Sequence, residues 1–277
     1  MWNRQPAYAG QFYPADKEDL VKEMDWYMQN AKIPDMDNEE PIALIAPHAA
    51  YYYSGPIAAY SYKLLAQMKP EVVIVLAPAH RASYLGASYI DEGTYETPLG
   101  SVPIDKPITE AIMRRPNFFF IKEVHETEHS LEVQVPFIQQ ALGNSFTLVP
   151  IIIGTTEETI IKKLAKSLAE IISADKRKVA IVVSTDLSHY HPYDKAKAVD
   201  RVFMETLLTL DEDALRQKVE TRQAEACGIA PLLTAVAACK DMGASKVRLL
   251  QYATSGDTSG EKDRVVGYLA AAIVKEQ

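Results

Sequence analysis

Cysteine is scarce: the 277-residue chain has two, Cys227 and Cys239. Two thiols do not make a disulfide framework and their spacing fits no zinc-finger pattern, so each is judged alone. Positive charge is also short. Lys and Arg number 29 against 37 Asp and Glu, a formal net charge of −8, which argues against broad nucleic-acid binding, where clustered basic side chains neutralise phosphates. No apolar run approaches the ~20 residues of a membrane span, and MWNRQPAYAGQFYP lacks the continuous apolar core of a signal peptide. The expectation is a cytoplasmic protein with neither nucleic acid nor membrane among its partners. What is plentiful is apolar sequence, 48% of the chain. That is enough for one large α/β domain over 1–277, and no break in composition divides it.

Three apolar runs organise the chain: ALIAPH at 43–48, VVIVLAPAH at 72–80 and VAIVVSTDLSHYH at 179–191. Each reads as a buried strand, apolar at consecutive positions as expected where both faces are covered. Each ends in histidine: His48, His80, and the group Asp186, His189 and His191. Between the first two, Pro56 opens a helix that runs to Met68. The βαβ order implies a parallel pair with a right-handed crossover, so His48 and His80 emerge at one edge of the sheet. In open α/β sheets, ligands collect beyond the carboxyl ends of the strands.

The remaining segments complete an α/β fold. The arm PAYAGQFYP (6–14) packs aromatic residues onto the body, ahead of a helix capped by Asp16. Turn residues between 83 and 103 mark hairpins at the rim. TLVPIIIG (147–154) is a further buried strand, followed by an amphipathic helix from Glu157 to Ile172, and residues 194–240 are mostly helical. VRLLQYAT (247–254) and VVGYLAAAIV (265–274) close the sheet, with 255–263 between them as a wide hairpin loop. The expected architecture is a central mixed, mostly parallel β-sheet flanked by helices.

One motif is a decoy. His125-Glu126-Thr127-Glu128-His129 matches H-E-x-x-H, in which two histidines on one helical face bind zinc. That chemistry needs a stable helix, whereas the extended stretch NFFFIKEV runs straight into the motif and the apolar helical stripe starts only at Leu131. His129 is read instead as a residue contacting substrate or a metal-bound side chain. Convergence of His48, His80 and the Asp186–His189 pair from three strand ends points to a metal or catalytic cluster, because two neutral imidazoles leave room for a third ligand and a substrate. His191 and Tyr53 belong to its surroundings; the run Tyr51 to Tyr53 either walls the pocket or packs. Cys227, just before GIAPLLTAVAAC, reads from the residues alone as a buried small hydrophobe.

Eight strings in order, AYAGQFYP, APHAAYYYSG, LAPAH, ETPLGSV, EHSLEVQVPF, STDLSHY, EACGIAP and ATSGD, span nearly the full chain. Together they resemble the Memo-like family, protein B of the AmmeMemoRadiSam group. The resemblance implies a fold and a metal pocket like those of class III extradiol ring-cleavage dioxygenases. Carried onto this sequence, it implies that His48, His80 and Cys227 bind the metal, that His189 is the catalytic acid/base, and that Asp186 lines the same pocket. Ala50 stands where the family loop has glycine, and Ser54 where some members have cysteine; neither is a ligand. A thiolate in place of the usual carboxylate is a softer donor, so Fe(II) or copper is expected, with zinc as a further candidate.

Two functions follow from that resemblance. One is a non-haem metal-dependent oxidoreductase of the extradiol dioxygenase type, acting on an unidentified small molecule. The other is a non-catalytic metal- or peptide-binding adaptor that uses the same pocket. The family name also implies a radical-SAM protein as partner.

Overall fold

The structure is a computed structural model describing residues 2–36 and 38–276. In chain order its first elements are β1 (Trp2–Arg4), α1 (Lys17–Asn30), β2 (Glu39–Ala46), α2 (Tyr51–Met68) and β3 (Val72–Pro78). Shorter pieces follow: β4 (Ala87–Tyr89), β5 (Gly93–Thr97), β6 (Gly100–Pro103), α3 (Lys106–Met113), β7 (Phe118–Phe119), α4 (Lys122–Thr127), α5 (His129–Glu132) and α6 (Gln134–Leu142). Then come β8 (Thr147–Ile153), α7 (Glu158–Ala174), β9 (Val179–Ser184), β10 (His189–His191), α8 (Tyr193–Leu207), α9 (Glu212–Glu220) and α10 (Ile229–Asp241). The chain closes with β11 (Lys246–Thr254), α11 (Ser255–Ser259) and β12 (Val265–Glu276).

The main sheet has the order β10-β12-β2-β9-β3-β8-β4-β7, with β11 added along β12. Its centre, β2-β9-β3-β8, is parallel; β12 and β4 join antiparallel on either side. The sheet is therefore mixed, as the sequence suggests. Successive residues of the central strands feed opposite faces. Ile45, Ile74 and Val183 pack with the residues of α7 and α10, whereas Leu44, Val73 and Val182 pack with those of α1 and α2. That double coverage is why these strands read as unbroken apolar runs. Among the described residues, no helix is long and apolar enough to cross a membrane.

Three expectations need correction. β2 and β3 are parallel but not neighbours, because β9 lies between them and pairs with both. His48 and His80 still leave the same edge, and the segment after β9 is delivered between them. Helix α2 begins at Tyr51, not at Pro56, which lies inside it. The proline lacks the N–H that would bond Tyr52, and Tyr52 is on the exposed side of the helix. The loop at 255–263 is not wholly irregular: Thr254 and Asp257 form a capping box that starts α11.

The N-terminal arm packs on the body as expected, but a buried carboxylate holds it there. Glu132, fully buried in α5, accepts the Tyr8 N–H at 2.8 Å, the Ala7 N–H at 3.0 Å and the Tyr13 hydroxyl at 2.6 Å. It also pairs with the buried Arg4 guanidinium, which in turn donates to the His125 carbonyl at 3.0 Å. β1 then lies beside β5 with Trp2 opposite Gly93. A Cβ at Gly93, which has φ +117°, would fall 1.9 Å from the Trp2 carbonyl oxygen, so glycine is required there.

Candidate metal centre

The carboxyl ends of β2, β9 and β3 lie side by side and open into a cavity of about 620 Å³, lined by His48, His80, His129, Asp186 and His189. Two of these histidines are oriented by networks that the sequence did not announce. His48, 2% exposed, places Nδ1 2.7 Å from the Ser184 hydroxyl. That hydroxyl donates its single hydrogen to the Ser130 carbonyl at 2.7 Å and accepts from the Gln134 amide at 2.8 Å. The Gln134 amide nitrogen is identified by its second bond, to the Pro47 carbonyl at 3.0 Å. With its hydrogen spent, the Ser184 oxygen must accept from His48 Nδ1, leaving the lone pair of His48 on Nε2. Burial, followed by the neighbouring histidines, pushes the His48 pKa well below its ordinary value, so the ring is neutral.

His80 is oriented by Glu128. One carboxylate oxygen accepts the His80 N–H at 2.6 Å and the other lies 2.9 Å from His80 Nδ1. Burial alone would raise Glu128, but the bonds from His80 and from the Ser130 N–H overcome it and hold the carboxyl down at about 2. An ionised Glu128 requires the proton on His80 Nδ1 and frees Nε2. This carboxylate–histidine arrangement is the one that orients metal-binding imidazoles.

Glu128 also explains why H-E-x-x-H is not a zinc-peptidase helix here. Its backbone is extended, with φ −95° and ψ 125°, and it separates α4 from α5. His125 and His129 are consequently not on one helical face. His125 is buried against Ser88, with Nε2 at 3.1 Å from its hydroxyl, while His129 reaches the cavity. The ring nitrogens of His48, His80 and His129 include one set lying within 4.8 Å of one another, close enough to share a metal ion. The His80 ring stands at 79° to His48, with centroids 5.1 Å apart, but stacks at 24° on His129 at 4.8 Å. Burial lowers the His129 pKa to about 4, so His129, like His48, is neutral at this point.

Asp186 is buried and accepts the His48 backbone N–H at 2.7 Å. Burial raises its carboxyl to about 6 against the pull of that bond and of His189. His189 contacts the Leu187 carbonyl through Nδ1 at 2.8 Å. A carbonyl only accepts, so Nδ1 holds a proton and Nε2 is the nitrogen left for other partners. Tyr53 lines the same cavity. His191 does not; its Nε2 lies 2.8 Å from Glu225, whose other oxygen meets the His189 N–H at 3.3 Å.

Cys227 abuts the centre from another direction. Its Sγ is 3.1 Å from His48 Nε2 and accepts the Asp186 N–H at 3.2 Å, while its own N–H returns to the Asp186 carbonyl at 3.2 Å. It lines a separate cavity of about 290 Å³ with Ala79, Thr155 and Ile229. Gly228 makes this approach possible, since a Cβ there would meet the Ser184 carbonyl oxygen at 2.3 Å.

Glu128, Ser130, Glu132 and Gln134 are the orienting residues that sequence reasoning missed. They form a buried polar row at every second position, interleaved with Leu131, Val133 and Val135. That alternation inside EHSLEVQVPF was the available signal.

An α/β sheet with imidazoles gathered beyond its parallel strands defines an open-sheet protein with a candidate metal site at the carboxyl ends of its strands. A family model described as Memo-like protein matches residues 4–272. A MEMO1 family protein of Methanopyrus kandleri is 38% identical, covering 96% of this chain and 97% of its own. Another, from Sulfolobus acidocaldarius, is 36% identical over 96% and 98%. The chain belongs to the Memo-like family. Among solved structures, an uncharacterized protein from Escherichia coli K12 superposes with a TM-score of 0.57 at 15% identity, covering 84% of this chain and all of that one, which shows a shared fold.

Proposed function

We propose that this chain binds Fe(II) or copper, with zinc as the alternative ion, and works as an oxidoreductase of the class III extradiol type on a small molecule. The observation that carries this reading is the pair His48 and His80. Each has Nδ1 committed to a fixed acceptor, which leaves Nε2 as the donor atom, met in His48 by the Cys227 Sγ, and the two rings stand nearly perpendicular. An imidazole donates through a lone pair in its ring plane, so crossed rings can converge on one ion. His129 stacks at 24° on His80, so its ring plane converges less directly on a point shared with His80 than that of His48 does. We therefore assign the third donor to Cys227, in contact with His48 Nε2, and give His129 to the substrate side.

The donor set suits a transition metal, combining two imidazoles with a thiol that metal binding deprotonates. Bound there, the ion supplies Lewis-acid activation of a chelating substrate and redox chemistry with oxygen. His189, with Nδ1 committed to the Leu187 carbonyl, presents Nε2 as the atom that takes a proton from the substrate hydroxyl. Asp186, with a pKa of about 6, is a second group able to exchange a proton near neutral pH. Phe12, Tyr190 and Tyr268 wall the cavity and limit water around the reacting atoms.

The test is oxygen uptake by Fe(II)-loaded protein with a panel of catechols, beside His189→Ala. Turnover in the parent, lost in His189→Ala while metal stays bound, is the expected result. Metal binding without oxygen uptake, together with peptide binding that ignores His189, would instead support the non-catalytic adaptor.

A further inference from the structure

The cavity that reaches the histidines has a mouth of different chemistry. Arg264 and Glu261 both line it, together with the hydroxyl-bearing Ser255 and Ser259. Among the described residues, neither charged side chain is in an ion pair, although they are three residues apart in one loop. Three residues of chain span at most ~10 Å. Opposite charges are thus offered to one cavity without neutralising each other.

Arg264 is not loose at this mouth. Its guanidinium lies over the Tyr190 ring, 5.1 Å from the centroid, a contact that holds a cation against an aromatic face. Tyr190 itself sits at φ +60°, in the left-handed region that non-glycine residues rarely adopt. It does so where β10 bulges against β12 between His189 and His191. The same distortion that sets His189 in the wall presents the Tyr190 ring, 62% exposed, at the rim. Strain retained beside a site commonly serves that site.

We propose that the ligand of this cavity is an aromatic zwitterion, a free aromatic amino acid or a compound with that head group. Its ring enters between Phe12, Tyr53 and Tyr268, with the hydroxylated edge toward the histidines. Its carboxylate meets Arg264 and its ammonium meets Glu261. A head group carrying both charges matches both side chains, whereas a simple acid would leave Glu261 unmatched and a simple amine would leave Arg264 unmatched. This assignment rests on the proposed small-molecule site and names the class of molecule it takes.

Isothermal titration with three probes that share a phenol ring tests it: L-tyrosine, tyramine, which lacks the carboxylate, and phloretate, which lacks the amine. The parent should bind L-tyrosine at least about tenfold more tightly than either analogue, the scale of one charge-assisted contact. Arg264→Gln should bring L-tyrosine down to tyramine, and Glu261→Gln should bring it down to phloretate. Equal affinities, no binding of any probe, or variants that leave the preference intact would overturn the proposal. Metal content measured on the same preparations keeps the two readings separate. Metal bound without a zwitterion preference removes this inference alone, whereas the preference without any metal removes the oxidoreductase reading.

Discussion

Replacing Glu132 by alanine should loosen the arm that brings Phe12 to the cavity. Glu132 and Arg4 are both fully buried, so removing the carboxylate strands a guanidinium without a counter-charge. Breaking a buried pair in this way costs ~3–5 kcal/mol. The Ala7 and Tyr8 amides and the Tyr13 hydroxyl lose their acceptor as well. Those losses do not simply add, because the arm can peel into water and limit the cost. For a chain of this size each kcal/mol lowers Tm by ~2–4 °C, so a drop of roughly 6–20 °C is expected in thermal unfolding followed by circular dichroism. Hydrogen exchange should show the amides of Ala7 and Tyr8 losing protection while the β2 and β9 amides keep theirs. Glu132→Gln, which keeps acceptor capacity without the charge, should fall between. A Tm within about 2 °C of the parent, with Ala7 and Tyr8 still protected, would refute the account of how the arm is held.

Other expectations follow from single groups. Ser184→Ala removes the acceptor that fixes the His48 tautomer; metal affinity should fall ~10–100-fold by competition titration with zinc, with little change in Tm. The Asp105–Arg177 pair predicts acid behaviour far from the centre. Burial would raise Asp105, but hydrogen bonds from Arg177 and Thr147 overcome it and depress its pKa below 3.8. A folded pKa below the unfolded value gives stability that is present above the unfolded pKa and lost as pH falls through the folded one. Arg177→Met should therefore cost stability at pH 7, in urea unfolding, and cost progressively less below the unfolded pKa of Asp105.

Much of this fold was legible because burial on both sides leaves a plain trace. The runs at 43–46, 72–77 and 179–183 had to be central strands, and their ends had to share an edge. Strand order was not legible: nothing local in VAIVVS says that it slips between β2 and β3, since three equally apolar strands can be ordered several ways. The short β10 was also invisible, because three residues with an internal bulge carry no periodicity. At the site, His48, His80, Asp186 and His189 stood out by position, at the points where apolar runs stop. Glu128 and Ser184 did not stand out, although they decide which imidazole nitrogen is free. Their role depends on bonds across 48 and 136 residues of sequence. The break at Glu128 was anticipated only in part: the extended stretch before the motif argued against one continuous helix, but the carboxylate that orients His80 and approaches His129 appears only in three dimensions.

Elemental analysis of protein purified without chelator or affinity metal bears most directly on the proposed centre, run on the parent beside His48→Ala, Cys227→Ala and His129→Ala. Near-stoichiometric iron or copper in the parent, lost in His48→Ala and Cys227→Ala but kept in His129→Ala, is the predicted pattern. Parent protein that holds no metal even after anaerobic reconstitution, or His48→Ala protein that holds as much as the parent, would contradict the centre. Metal kept in Cys227→Ala and lost in His129→Ala would contradict the choice of third donor.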